Sequence, residues 1–198
     1  MKLSRRLGTC LLLGMLGCLF HPLPGFSQAT PTAPPANTQR DGRHDFDWDL
    51  GTWKTHQRRL LRPLTGSTTW VEYTGTDVVQ KIWDGANMGI VKADGSAGHL
   101  EILTLRLYDA QAHQWGVTFT TPGGGTLSTP AVGEFKNGRA DFYDQETYNG
   151  KVILLRFSVF DITPTSCHFE QAFSADGGKT WEVNFIVEEA LVKKDEAK

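Results

Sequence analysis

"SADGGKTW", residues 174–181, decides between two kinds of β fold. It fits the spacing S-x-D-x-G-x-T-W, a hairpin found once per blade in repeat-built propellers. The physical reading is turn chemistry. Asp176 can accept hydrogen bonds from nearby backbone N–H groups, and Gly177 and Gly178 allow positive φ. Ser174 can tie the turn back to its strand, and Trp181 starts the next one. A propeller repeats a blade of about 40 residues several times. Here the motif occurs once, and "KADGSAG" and "EFKNGRAD" are turns rather than copies of it. The stretch therefore joins two neighbouring antiparallel strands, "TSCHFEQAFS" and "TWEVNFIVEEALV", in a smaller fold.

The text on either side agrees. "GTWKTHQRRLLRP" is extended until Pro63, and "STTWVEYTG" and "DVVQKIWDG" each close on a glycine turn. "HLEILTLRLYD" alternates, with Leu103, Leu105 and Leu107 facing one way. In "AVGEFKNGRADFYDQET", Asn137-Gly138 supplies the positive-φ pair of a type I′ hairpin. "KVILLRFSVFD" is the most apolar strand. About nine or ten strands follow one another with no helical period between them, which predicts an all-β domain. Hairpin-linked strands in one domain of this size favour a single antiparallel up-and-down β-barrel. Closure removes the sheet edges, and eight or more strands leave an interior wide enough for side chains or one small ligand.

The ends of the chain read differently. Lys2, Arg5 and Arg6, the apolar run from Leu7 to Phe20 and the small residues of "SQA" make residues 1–29 a signal peptide cleaved after Ala29. The apolar run is too short for a membrane span. Gly17-Cys18 offers lipid anchoring as an alternative, but Met15 and Leu16 make a poor lipobox, so no anchor is expected. Residues 30–43, rich in Pro and Thr, read as a flexible linker, because they hold too little apolar surface to offset the entropy of ordering. The barrel spans 44–193 and a charged tail 194–198. This organisation puts the protein in the periplasm or medium. Losing three basic residues and no acidic ones takes the net charge from −2 to −5. That balance, with no basic stripe, excludes nucleic acid as a partner. Only Cys167 is left in the mature chain, so no internal disulfide forms, and its place in an apolar alternation reads as a buried small hydrophobe.

A resemblance adds to this. Gly51-Thr52-Trp53 on the first strand is the G-x-W signature of lipocalins and related calycins. "HDFDWDLGTWKTHQRRL", "TTWVEYTGT", "DGANMG", "LTLRLYDAQAHQWGVTF", "ILLRFSVFDIT" and "FEQAFSADGGKTWEVNFIVE", in this order, resemble a family of small secreted bacterial proteins with lipocalin-like barrels. The resemblance implies a calycin-type barrel with an interior pocket, and no established common activity. Two departures stand out. The family's Arg–Trp pair before E-Q-A-F-S is His168-Phe169 here, and Gly89-Ile90 replace the acidic residues after Asn87-Met88. The opening motif also resembles the Asp-box hairpin of sialidases, but its single occurrence argues against that activity.

Residues i and i+2 of a strand share a face. His168 and Glu170 therefore lie together, opposite Cys167, Phe169, Gln171 and Phe173, and are candidate catalytic groups, a base and its orienting partner. Arg156 sits in an otherwise apolar set, where a buried guanidinium needs a carboxylate or ligand oxygen, so it is a candidate for catalysis or binding. Trp53, Trp70 and Trp115, with Arg58, Asn87 and Arg156, are the candidate ligand contacts. Val183, Phe185, Val187 and Glu189 share a core-like face, with Glu182 and Asn184 opposite. His56, His168 and Glu170 lack a short metal-ligand spacing, so no metal is expected, and no motif calls for another cofactor. Three readings stay open: a barrel enclosing a small, mostly apolar molecule; a hydrolase or isomerase built on His168 and Glu170; and a non-catalytic structural or interaction domain at the cell envelope.

Overall fold

The structure, a computed structural model, describes residues 40–195. The leader, the linker as far as residue 39 and the last three residues lie outside that range. A short 3-10 turn, Asp47–Asp49, precedes ten strands: β1 (Gly51–Leu60), β2 (Trp70–Trp83), β3 (Ala86–Gly95), β4 (Gly98–Asp109), β5 (Gln114–Thr120), β6 (Ala131–Lys136), β7 (Arg139–Tyr148), β8 (Lys151–Phe160), β9 (Ser166–Ser174) and β10 (Glu182–Lys194). Each pairs antiparallel with its chain neighbours, and β1 also pairs with β10, which closes the barrel. The fold is the expected up-and-down barrel.

Local sequence explains the turns. Asn137 and Gly138 have φ of 53° and 77° between the paired residues Lys136 and Arg139, the mirror-image turn whose twist matches the strands. In the opening motif, Asp176 Oδ1 accepts from the amides of Lys179 and Thr180 at 3.1 and 2.9 Å, and Oδ2 from the Thr180 hydroxyl at 2.7 Å. Ser174 Oγ donates to Asp176 at 2.8 Å, and Trp181 Nε1 donates to the Gly178 carbonyl at 3.1 Å. These donors, led by Thr180, hold the Asp176 carboxyl at a pKa of about 2.

Alternation then sorts the faces. Ile153, Leu155, Phe157 and Val159 of β8 are buried inside, while Val152 and Arg156 face out. Leu103, Leu105 and Leu107 share a face as expected, and it is the outer one, with Leu107 40% exposed; Leu100, Ile102, Thr104 and Arg106 take the interior. One expectation is corrected: in β10 a register shift between Val183 and Phe185 acts as a bulge and puts Asn184 inside with Phe185. Asn184 is 2% exposed.

The two ends differ. Residues 40–50 close one of them. Gly42 donates to Tyr108 Oη and accepts from Trp115 Nε1, both at 2.9 Å. Phe46, fully buried, meets Trp115 and Phe135 edge-on at centroid distances of 5.0 and 4.8 Å. Trp53 Nε1 donates to the Asp49 carbonyl at 2.7 Å, and the Lys194 ammonium donates to the Trp48 carbonyl. The other end carries the connections β1–β2, β3–β4, β5–β6, β7–β8 and β9–β10, so "SADGGKTW" lies on its rim.

Candidate functional site: a cavity with a charged floor

The rim leads into a cavity of about 570 Å³, within the range of small-molecule pockets. Its walls are apolar and come from most of the strands: Val91, Ile102, Phe119, Leu155, Phe157, Phe169 and Val187. The aromatics around Phe46 fill the other half of the barrel.

Between cavity and plug lies a charged layer. Asp49, Asp77, Arg106 and Glu189 are all at most 5% exposed, and Cys167 and Asn87 are buried beside them. Arg106 Nη1 lies 2.7 Å from Asp49 Oδ2 and donates to Asn87 Oδ1 at 3.0 Å. The guanidinium also covers the Phe46 ring at 5.0 Å. The contact with Asp49 is an ion pair off the hydrogen-bond direction, so neither Asp49 oxygen receives an aligned donor. Cys167 Sγ donates to Glu189 Oε2 at 3.5 Å. Gly89 makes room for one of these acids: a Cβ there would stand 3.0 Å from Asp77 Oδ1 and 3.2 Å from Oδ2.

Three carboxyl groups share one guanidinium, which fixes their protonation. Burial pushes Asp77 up to about 7, the Asp49 charge adds to this, and Arg106 opposes it. Burial also raises Glu189 well above the usual carboxylate range, helped by Asp49 and Asp77. Asp49 rises for the same reason, held back by Arg106 and Lys194. Burial and the neighbouring Glu189 push the Cys167 thiol up, so it is no nucleophile. Asp49, Cys167 and Glu189 bring one ligand atom each to within 4.8 Å of one another. A metal there would need that thiol deprotonated and would sit beside the Arg106 charge, so the trio is a poor cation cage.

The residues singled out in the sequence fall elsewhere for the most part. His168 and Glu170 alternate with the cavity-lining Phe169 and Gln171 and lie on the outer face, with Nε2 and Oε1 3.7 Å apart, beyond a hydrogen bond. His168 packs on the Phe160 ring at 4.7 Å. Arg156 stacks over Trp181 at 4.7 Å, also outside; an aromatic face replaces the inward carboxylate expected for it. Arg58 lies 5.9 Å over the Trp70 ring on the outer face. Trp53 and Trp115 are buried at the plugged end. Asn87 joins the charged floor through Arg106. His56 meets Glu72 at 3.2 Å and Glu188 at 3.5 Å on the outer face, away from the cavity. The floor acids Asp49, Asp77 and Glu189 and their partner Arg106 were not among the candidates. One signal was present: Glu189 continues the core-like parity of Val183, Phe185 and Val187.

No protein-family model and no curated protein matches the chain. Among solved structures, the S-type phycobiliprotein lyase CPES from Guillardia theta is similar in fold, with 8% identity over 81% of this chain and 96% of that one and a TM-score of 0.50. A structure of EF1p2_mFAP2b bound to DFHBI aligns over 77% of this chain and 99% of that one, at 10% identity and a TM-score of 0.42. At these identities the likeness concerns the fold alone: the chain is a closed ten-stranded antiparallel barrel.

Proposed function

We propose that the protein binds one small, mostly apolar molecule in the open half of its barrel. The carrying observation is the cavity of about 570 Å³ with apolar walls and buried polar groups converging at its floor. Burying about 250 Å² of apolar ligand surface contributes about 6 kcal/mol. Losing translational and rotational freedom costs about 4 kcal/mol or more, so floor contacts decide affinity and selectivity. The groups named for a hydrolase or isomerase lie outside this cavity, and binding is the better reading. The N-terminal pattern supports export as a lipocalin-like secreted or periplasmic protein. Sequencing the exported form should find Thr30 first; an intact Met1 in every fraction would reject cleavage after Ala29.

The binding test uses neutral N-phenyl-1-naphthylamine, whose fluorescence rises in apolar surroundings. The chain should bind one molecule. Ile102→Trp, which fills the cavity, should abolish the signal while retaining cooperative unfolding. Equal binding to both would place the dye elsewhere and reject the reading.

A further inference from the structure

The geometry points to a ligand whose apolar body ends in a cationic nitrogen, held against Asp77 and Glu189 at the cavity floor. This rests on the binding function proposed above and specifies its ligand.

Among the described residues the floor has three carboxyl groups and one cation, Arg106. Arg106 Nη1 is committed to Asp49 and Asn87 and the guanidinium covers the Phe46 face, while its Nε is left without an acceptor. Asp77 and Glu189 both line the cavity and have no cation of their own there. Asp77 Oδ1 and Gln57 Oε1 are buried without a donor, on residues 4% and 0% exposed. Both residues line the cavity, and both atoms are acceptors. An ammonium group brings three donors and a positive charge to meet them. A ligand carboxylate would add a fourth acid to a dry, acid-rich site, which Coulomb repulsion disfavours. A hydrated metal ion matches neither the apolar walls above nor the protonated thiol below. An amine with an apolar body suits both the walls and the floor.

The other charged groups lining the cavity are Arg59, Arg62 and Glu146, with Asp49 behind Glu189. The two arginines are exposed, so solvent screens them more than the floor acids. A bound cation favours the ionised floor, so binding of an amine should strengthen as pH rises through the range in which Asp77 loses its proton.

The test uses three fluorescent probes with one body: 1-pyrenylmethylamine, 1-pyrenylmethanol and 1-pyrenecarboxylate. Each is titrated into the full chain at pH 6 and pH 8. The amine should bind roughly tenfold tighter than the alcohol, and tighter still than the acid, with the gap wider at pH 8. Asp77→Asn and, separately, Glu189→Gln should lower the amine-to-alcohol ratio about tenfold. Urea unfolding of each variant verifies that it folds, and the pH comparison needs no variant. Alcohol or acid binding as tightly as the amine, or a ratio unmoved in folded variants, overturns the cationic ligand and leaves the apolar-cavity function standing. Failure of all three probes to bind overturns both.

Discussion

Asp77→Asn should make the protein increasingly more stable than wild type as pH rises from 4 to 8, and leave it nearly unchanged only below pH 4. The unfolded chain releases the Asp77 proton near the ordinary aspartate value of 3.8, and the folded chain holds it to about 7. Between these values the folded state binds more protons than the unfolded one, so stability falls as pH rises. A gap of about three pKa steps at 1.36 kcal/mol each gives about 4 kcal/mol lost between pH 4 and pH 8. Asparagine has nearly the same shape and no charge to desolvate, so it removes this loss. Urea denaturation at pH 5, 6, 7 and 8 measures it. Asp49 and Glu189 also add to the wild-type slope, so the quantity to compare is wild type minus variant at each pH. The variant's advantage should grow from about 1.5 kcal/mol at pH 5 to about 4 kcal/mol at pH 8. Parallel curves, or a variant less stable at pH 8, would mean that Asp77 is folded as a paired anion and would refute the charge assignment of the floor.

Two further outcomes follow from the same structure. Arg106→Met removes the cation beside Asp49 and should cost about 3–5 kcal/mol in urea unfolding, with the loss growing above pH 7; no loss would mean that Asp49 is held neutral. Asp176→Ala should speed hydrogen exchange at the Lys179 and Thr180 amides, its acceptor being gone. In the wild type the Asp176 contribution is present above its unfolded pKa near 4 and lost as pH falls through about 2.

The barrel was legible because its signals are local. Asn137-Gly138 can make one kind of turn, Asp176 and its glycines another, and the alternation in β8 separates core from surface without help. The failures came where a local rule met a tertiary event. One bulge after Val183 turned Asn184 inward, and parity carries no mark of it. In β4 the alternation puts Leu103, Leu105 and Leu107 on one face but does not say which face is inside; Thr104 and Arg106 face in, because the floor of the open half is polar. The floor escaped notice because its members are far apart in sequence: Asp49 before β1, Asp77 in β2, Arg106 in β4 and Glu189 near the end of β10. Barrel closure brings them together. His168 and Glu170 suggested chemistry by spacing alone, but the strand turns them to the outer surface.

The proposed ligand enters the barrel rather than docking on its wall. Methyl NMR mapping with bound 1-pyrenylmethylamine tests this most directly. Entry into the barrel should give shifts and intermolecular contacts at the inward methyls of Val91, Ile102, Leu155 and Val187, with Leu105, Leu107 and Val132 silent. Contacts confined to those outer residues, or no saturable one-to-one binding, would contradict it.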